Sequence, residues 1–383
     1  MKSLRLTKPL RARIRDGHPW IYDRATAPLA HVMPGDLVTI VDEEGPIALG
    51  LVDPASPIRA RVLDQDPKAS IDAAWTIART EAAARRRTRD PLLVGCTGRR
   101  LVHGEADACP GLVIDAYDDT AVVVFDGAAA TTFWKPRLAD AIAGLARGGQ
   151  TIAHVWVRGE RGKRARGEAF LGEPPAEIAI AEDEARFAVD VRAGQKTGFF
   201  LDQRDNRRMI RRHAAGASVL NLYCYTGGFS LHAALGGATH VTSVDIAAPA
   251  IADLAKNVAL SGLDVAAHET VCEDVFEFLA RAQTRGRRWD LVICDPPSFA
   301  PNEKARGSAL GAYRRLAAAA LAVVEPHGRL AVASCSSHVT EADLLGVCPA
   351  LPVRAITGAA SDHPVLAAFP EGRYLKFLFF DAS

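Results

Sequence analysis

The sequence predicts an α/β protein of two or three domains, with a mostly parallel β-sheet in its C-terminal half. Three observations lead to this prediction. The chain has 383 residues, which is more than one ordinary hydrophobic core accommodates. Short strand patterns dominate the first 68 residues. After about residue 186 strands and helices alternate, as is typical of βαβ units.

The composition predicts a soluble cytoplasmic protein. Apolar residues make up 49% of the chain and charged residues 24%, as in ordinary globular proteins. No apolar run approaches the ~18 residues of a membrane span, and the basic N-terminus lacks a signal-peptide core. The seven cysteines form no Cys-x-x-Cys pair. We therefore expect no disulfide framework and no metal site.

The N-terminal two fifths predict a β-rich unit followed by a mixed unit. The stretch GDLVTIVDEEGPIALGLVD contains two apolar runs separated by a turn at Glu44-Gly45-Pro46, and SPIRARVLD adds another strand. Asp72 is placed to cap a helix that Pro91 stops. Strands over 99–125, a helical stretch around 132–146 and the strand TIAHVWV follow. The predicted domains are 1–68, an α+β middle domain over 69–185, and 186–383.

The C-terminal domain carries its informative residues directly after strands. The predicted strands are ASVLNLY (217–223), HVTSVDI (240–246), a short strand near 268–272, WDLVICD (289–295), GRLAVAS (328–334) and RYLKFLFF (373–380). In an open parallel sheet, ligands bind beyond the carboxyl ends of the strands. We therefore expect the functional site at that edge.

The first two of these strands predict a cofactor site. NLYCYTGGFS follows the first strand, and Gly227-Gly228 permits a tight turn before a helix. Asp245, eighteen residues after Gly227, can bind ribose hydroxyls. The full Gly-x-Gly-x-x-Gly of pyrophosphate-containing cofactors is absent, which favours S-adenosylmethionine. Asp274 is either an adenine contact or the cap of the following helix.

The stretch Asp295-Pro296-Pro297-Ser298-Phe299 is the most specific motif. Two prolines stiffen the loop, which can hold the polar edge of a planar base while an aromatic ring stacks on its face. The alternative is a proline-stiffened turn with a buried phenylalanine.

Cys335 closes the strand that should lie beside the Asp295 strand. A cysteine at a strand end is usually a small buried hydrophobe. A thiolate at this edge could instead add to C6 of a pyrimidine and make C5 nucleophilic. Ser334 and Ser336 could polarise the thiol or the base, whereas His338 is better interpreted as a satisfied surface histidine.

Basic clusters occur at the N-terminus, at 158–167 and at 204–213, although the net charge is only +1. Such clusters can neutralise phosphates. Solvated helix faces and loops are the alternative interpretation of each.

These motifs together resemble the class I, S-adenosylmethionine-dependent 23S rRNA cytosine-5 methyltransferases with an N-terminal PUA-like domain. The matching stretches span nearly the whole chain: GHPWIYD, SPIRARVLD, GEADACPGLVIDAY, GQKTGFFLDQRDNRR, VLNLYCYTGGF, VDIAAPAI, NVALSGL, DVFEFL, DPPSFA, SCSSH and DHPVLAAFPEGRYLK. The resemblance implies a PUA-like RNA-binding barrel, the α+β middle domain and a Rossmann-like methyltransferase domain with a mostly parallel seven-stranded sheet.

The resemblance also implies roles for particular residues. Cys335 would be the nucleophile and Asp295 the contact to the base edge. The residues implied for the cofactor are Asn221, Tyr223, Tyr225, Thr226, Gly227, Gly228, Asp245, Ile246, Asp274, Val275 and Gln203. Those implied for the substrate are Pro296, Pro297, Phe299, Phe199, Phe200 and Arg204. The partner would be 23S rRNA, naked or in an assembling subunit, and a homodimer is left open.

Two cysteine positions qualify this resemblance. Cys224 takes a place often held by serine, which puts a second thiol near the cofactor. The Asp-Pro-Pro loop has Ser298 where two-cysteine enzymes carry their second cysteine, and Cys294 should face away from Asp295. We therefore predict a mechanism with one cysteine.

Three other functions remain as alternatives. A purine-nitrogen methyltransferase, such as a guanine N7 enzyme, would share the Asp-Pro-Pro loop but would not need Cys335. A nicotinamide-dependent dehydrogenase is disfavoured by the missing third glycine. A non-catalytic RNA-binding assembly factor would keep a cofactor pocket without turnover.

Overall fold

The computed structural model describes residues 2–159, 167–300 and 302–382. It divides the chain into two compact units. The first comprises Met1–Ile178, Val189–Phe199 and Ser361–Pro370, and the second comprises Ala179–Ala188, Phe200–Ala360 and Glu371–Ser383. The predicted domain boundaries at 68 and 185 stay predictions. No helix in the described part of the chain is long and apolar enough to cross a membrane.

The first unit begins with a five-stranded sheet. Its strands and its one helix are β1 (Lys2–Arg5), α1 (Arg11–Arg15), β2 (Trp20–Tyr22), β3 (Leu37–Asp42), β4 (Gly45–Val52) and β5 (Ile58–Asp64). The strand order is β1-β3-β4-β5-β2, and β1 runs parallel to β3. An antiparallel bridge between Leu6 and Thr26 connects residues that follow the two edge strands. Alternating apolar residues such as Leu4, Val38 and Ile40 fill the core.

A second five-stranded sheet packs against helices in the same unit. Its elements are α2 (Ala73–Thr88), β6 (Gly98–His103), β7 (Leu112–Tyr117), β8 (Thr120–Phe125), α3 (Ala128–Trp134), α4 (Leu138–Arg147), β9 (His154–Val157) and β10 (Glu168–Leu171). Asp72 caps α2 as predicted, because its carboxylate accepts the N–H of Trp75 at 2.9 Å. The helical stretch predicted around 132–146 is confirmed, and it consists of α3 and α4. A 3₁₀ turn at Lys135–Arg137 separates α3 from α4, since Pro136 lacks an N–H.

The second unit contains a seven-stranded sheet. The strands β11 (Ile178–Glu182) and β12 (Ala185–Val189) form a separate two-stranded hairpin. The elements that follow are α5 (Arg204–Arg212), β13 (Ser218–Leu222), α6 (Gly228–Leu235), β14 (His240–Asp245), α7 (Ala248–Leu260), β15 (His268–Cys272), α8 (Val275–Thr284), β16 (Trp289–Cys294), α9 (Arg306–Leu321), β17 (Val324–Ser334), α10 (Glu341–Val347), β18 (Val353–Thr357) and β19 (Lys376–Asp381). The order β15-β14-β13-β16-β17-β19-β18 confirms the predicted sheet. Only β18 and β19 join it through antiparallel pairs.

The pairing of the central strands fixes where the site lies. Leu222 is paired with Val244 on one side and with Cys294 on the other, and Cys294 is paired with Val332. All four strands are parallel, so their carboxyl ends meet at one edge. The prediction that the Cys335 strand neighbours the Asp295 strand is confirmed. Strand β17 begins at Val324, four residues earlier than predicted, and β16 ends at Cys294, which leaves Asp295 in the loop.

The basic cluster at 204–213 is mainly structural. Arg207 donates two hydrogen bonds to Glu182, at 2.6 and 2.5 Å, and both side chains are buried. Arg208 pairs with Asp183 at 2.6 Å, and Arg211 pairs with Glu184 at 2.5 Å. The burial of Arg207 argues against its holding a phosphate, whereas phosphate contacts by Arg208 and Arg211 stay a prediction. Most of the 158–167 cluster, residues 160–166, lies outside the described residues.

We predict that Glu182→Gln destabilises the protein by about 3–5 kcal/mol, because it leaves the buried Arg207 charge uncompensated. Glu184→Gln is the matched control, since Glu184 is exposed and its pair with Arg211 is worth at most about 1 kcal/mol. Urea unfolding, monitored by circular dichroism, measures the loss in free energy of unfolding for both variants. Equal losses would show that the buried pair contributes no more than the exposed one.

Candidate functional site

The loop after β13 has an unusual backbone. Tyr223, Tyr225 and Gly227 all lie in the left-handed region, with φ of 59°, 47° and 89°. That conformation costs a non-glycine residue roughly 1–2 kcal/mol. At Gly227 a Cβ atom would also lie 2.7 Å from the Cγ atom of Leu254, so no other residue fits. Strain of this kind is characteristic of ligand-binding turns, and the successive N–H groups of a turn can point toward one ligand.

Asp245 ties this loop to the end of β14. Its Oδ2 atom accepts the N–H of Tyr225 at 2.9 Å, and its Oδ1 atom accepts the N–H of Ala247 at 2.9 Å. A carboxylate oxygen accepts more than one hydrogen bond. Asp245 is only half-buried, so each oxygen retains capacity for a ligand hydroxyl. This geometry suits the two adjacent hydroxyls of a ribose.

Two buried oxygen atoms beside the loop have no hydrogen-bond partner among the described residues. They are the Oδ1 atom of Asn221, at the end of β13, and the Oγ1 atom of Thr226. The amide of Asn221 is held by its other atom, which donates to Ser230 at 2.8 Å. Buried polar atoms are almost always paired, so these two call for a ligand. The amino and hydroxyl groups of S-adenosylmethionine would supply the missing donors.

The remaining predicted cofactor residues lie around the same edge. Ile246 is 70% exposed, so its apolar side chain is accessible to the adenine ring of a cofactor. Asp274 accepts the N–H groups of Phe276 and Glu277 at 2.9 and 3.2 Å, so it caps α8, while Val275 is buried. The cap does not test the adenine contact, which stays a prediction. Gly228 begins α6.

A chain of hydrogen bonds holds Asp295. Gln203 donates from Nε2 to Oδ2 of Asp295 at 2.9 Å, and Asn206 donates to Oε1 of Gln203 at 2.6 Å. Thr357 then donates to Oδ1 of Asn206 at 2.6 Å. Gln203 was predicted as a cofactor residue, and here its amide orients the carboxylate at the base of the Asp-Pro-Pro loop. Asp295 is half-buried.

The Asp-Pro-Pro loop is attached to the Cys335 loop. Ser298 and Ser336 share a hydrogen bond of 2.9 Å, and Ser336 also accepts the N–H of Ala300 at 3.3 Å. Pro296 is buried and Pro297 is exposed. These contacts fix the separation of the two loops. Phe299 is half-buried, and its ring centroid lies 4.9 Å from that of Tyr313.

Cys335 is half-buried between two serines that serve as structural acceptors. Tyr313 donates to Ser334 at 2.8 Å, and the N–H of Ser336 donates to the same oxygen at 3.3 Å. Burial raises the pKa of Tyr313, and negative charge at Cys335 and Asp295 raises it further. The three groups therefore share one electrostatic environment.

The structure adds Lys376 to this site, which sequence reasoning missed. It is only 4% exposed, and its Nζ atom donates to the carbonyl of Ser336 at 2.6 Å and to that of Tyr374 at 2.9 Å. The available signal was a lysine at the start of the apolar strand KFLFF, where a charged residue is unexpected.

Three predicted substrate residues have different placements. Phe200 is half-buried and its ring lies 5.2 Å from that of Tyr225. Phe199 belongs to the first unit, is 3% exposed, and donates its N–H to Tyr117 at 3.1 Å. Arg204 is fully buried, with Nε 3.7 Å from Glu182, which argues against a direct contact with substrate. The substrate roles of all three stay predictions.

The other cysteines and the histidine fit the interpretations made from sequence. Burial raises the pKa of Cys224 and that of Cys294, so both thiols stay protonated at neutral pH. Cys294 is fully buried in the core, away from the loop. His338 lies 3.1 Å from Glu303, as a paired surface histidine does.

The fold and this geometry agree with the comparisons to known proteins. A model of the S-adenosylmethionine-dependent methyltransferase family matches residues 137–346, and one of a PUA-like domain matches residues 4–65. The chain belongs to this S-adenosylmethionine-dependent methyltransferase family. S-adenosylmethionine is therefore its cofactor, and the unpaired oxygens of Asn221 and Thr226 fit it.

Similar proteins cover nearly the whole chain. A ribosomal RNA large subunit methyltransferase of Deinococcus radiodurans is 39% identical over 98% of this chain and 96% of its own. Ribosomal RNA large subunit methyltransferase I of Cronobacter sakazakii is 35% identical over 94% of each. Among solved structures, a Streptococcus mutans methyltransferase aligns over 100% of both chains with TM-score 0.85 at 22% identity. A methyltransferase complexed with SAH aligns equally completely with TM-score 0.87 at 22% identity.

We predict that Asp245→Asn weakens binding of S-adenosylhomocysteine by about 10–100-fold, because hydrogen bonds to a charged acceptor are worth roughly 1.5–3 kcal/mol. Asp264→Asn is a matched control. Asp264 also accepts an N–H two residues on, from Ala266 at 2.9 Å, but it precedes β15 and so lies at the opposite end of the strands. Isothermal calorimetry measures both affinities. Equal effects would contradict a ribose contact.

Proposed function

We propose that this protein methylates ribosomal RNA of the large subunit, and that it forms 5-methylcytidine in 23S rRNA through Cys335. The observation that carries the proposal is the position of Cys335, half-buried in the loop after β17, at the sheet edge that also holds Asp245 and Asp295. The names of the similar proteins support rRNA of the large subunit as substrate. The assignment to cytosine C5 depends on the chemistry of the cysteine.

Cytosine C5 is a weak nucleophile, which is why a thiolate is needed. In the proposed reaction Sγ of Cys335 forms a bond to C6, and the electrons of the C5–C6 double bond become available at C5. When bound, S-adenosylmethionine supplies the methyl group that C5 accepts. Transfer of the C5 proton to water or to another base, and cleavage of the S–C6 bond, then restore the aromatic ring and the thiolate.

Asp295 is assigned the polar edge of the base. A carboxyl group can hydrogen-bond N3 and the exocyclic amino group of cytosine together. Protonation or hydrogen bonding at N3 draws electrons from the ring and so favours addition at C6. The hydrogen bond from Gln203, at 2.9 Å, fixes the orientation of this carboxyl group.

The target base must leave its stack to reach this site. Single-stranded or splayed bases are the usual targets of sequence-specific RNA recognition. The stiff loop Pro296-Pro297 and the half-buried ring of Phe299 supply an apolar wall. The bond between Ser298 and Ser336 keeps this wall in register with the Cys335 loop.

The N-terminal sheet offers a place for the RNA chain. A cavity of about 170 Å³ there is lined by three cationic and three aromatic side chains among its residues: Lys8, Arg13, Arg24, His18, Trp20 and Tyr22. Cations neutralise phosphates, and aromatic rings stack on unpaired bases. The guanidinium of Arg24 lies 5.7 Å from the centre of the Tyr22 ring, so a phosphate-binding group lies beside a base-stacking group.

The proposal includes a cytoplasmic location, since ribosomal RNA is assembled with proteins there. It leaves open whether the substrate is naked 23S rRNA or an assembling subunit, and whether the protein acts as a homodimer.

We predict that Lys8→Glu and Arg24→Glu each weaken rRNA binding and reduce the slope of log affinity against log salt by about one. Lys68→Glu makes the same charge change at an exposed position outside the cavity lining and should have a smaller effect. Filter binding between low and high salt measures the slopes. A salt-independent affinity of the unmodified protein would contradict phosphate recognition.

We predict that wild-type protein transfers labelled methyl groups to 23S rRNA, and that mass spectrometry identifies 5-methylcytidine. Cys335→Ala should abolish the transfer, because no other group then activates C5. Cys272→Ala is the matched control, since this exposed thiol ends β15 at the same edge and should be dispensable. Methylation that survives Cys335→Ala, or that falls on a purine nitrogen, would instead support a guanine N7-type enzyme.

A further inference from the structure

Lys376 is a buried cation beside the proposed nucleophile. It opens β19 and is the register partner of Ser334, the last residue of β17 before Cys335. Its two carbonyl acceptors are Ser336, directly after Cys335, and Tyr374. An ammonium group has three N–H donors. In the part of the chain that the structure describes, these two carbonyls use two of them, and the third is available to a group at Cys335.

A buried ammonium needs a reason. Removing the charge from water costs several kcal/mol, and two carbonyl groups compensate only part of that cost. A neutral donor such as glutamine could bridge the same two carbonyls without the cost of burying a charge. The cation at this position therefore indicates a negative charge that it serves.

The charges that face this group come from four neighbouring elements. Burial lowers the pKa of Lys376 to about 8, while negative charge at Cys335 and at Asp343 of α10 acts in the opposite direction. Tyr313 of α9 and Asp295 after β16 belong to the environment of Cys335 as well. The negative charge of Asp295 would disfavour a thiolate, whereas the ammonium of Lys376 would favour one.

We propose that Lys376 is a positioning residue that keeps Cys335 in its reactive thiolate form. The inference rests on the proposed function, in which Cys335 is the nucleophile. In the step concerned, the S–H bond of Cys335 breaks and its proton passes to water. The products are a thiolate, stabilised by the ammonium of Lys376, and a hydronium ion, with no change in total charge. The thiolate then attacks C6, and the ammonium stays in place on the two carbonyls.

The first test uses the unmodified protein without RNA. Alkylation by iodoacetamide is followed at Cys335 and at the exposed Cys272 over a pH series, by mass spectrometry of the peptides. Only the thiolate reacts, so the midpoint of each pH profile gives the pKa of the corresponding thiol. The proposal expects a midpoint for Cys335 below the value of about 8.5 for an ordinary cysteine. A midpoint at or above that value overturns it without any variant.

The second test removes the charge. Lys376→Met should slow alkylation of Cys335 at pH 7 about tenfold and move its midpoint up by about one pH unit. Cys272 in the same sample is the internal control and should keep its rate. Lys376→Arg keeps the charge and should keep the low midpoint. Binding of S-adenosylhomocysteine establishes that each variant is folded.

The outcomes separate this inference from the proposed function. An unchanged Cys335 profile in folded Lys376→Met overturns the role of Lys376, whatever the enzyme methylates. If Lys376→Met raises the midpoint for Cys335 but the Cys335→Ala variant still methylates RNA, the ion pair is supported and Cys335 is not the nucleophile. A purely structural lysine would change stability but would not change the pH profile.

Discussion

Parallel pairing of β13, β14, β16 and β17 is the constraint on which the rest of the site depends. Strands that pair in register and in one direction must end at the same edge, so four loops distant in sequence converge there. The pairs of Leu222 with Val244 and with Cys294 set this convergence to within one residue. A shift of one residue would turn the strand-end side chains to the other face of the sheet.

Polar contacts between the loops turn this convergence into a defined geometry. Asp245 holds the strained turn after β13, Gln203 orients Asp295, and Ser298 binds Ser336. None of these contacts is worth more than a few kcal/mol, but each fixes a side chain that a substrate or cofactor would touch. The same logic extends to Lys376, whose ammonium is fixed by two carbonyls at the Cys335 loop.

The sequence predicted the elements of the methyltransferase sheet and the strand-end positions, because hydrophobic runs and turn residues are local signals. It misjudged residues whose role depends on distant partners. The basic cluster at 204–213 was open to phosphate contacts or to solvated positions, yet Arg207 is buried against Glu182 of a hairpin. Lys376 needed the register of β19 against β17, which no local pattern specifies.

The most direct test of the central claim is covalent trapping on 23S rRNA that contains 5-fluorocytidine. Fluorine at C5 cannot be lost as a proton is, so the adduct formed after methyl transfer persists and shifts the protein on a denaturing gel. We predict an RNA–protein adduct that requires S-adenosylmethionine, maps to the peptide of Cys335, and is lost in Cys335→Ala. Methylated RNA with no adduct at Cys335 would contradict it.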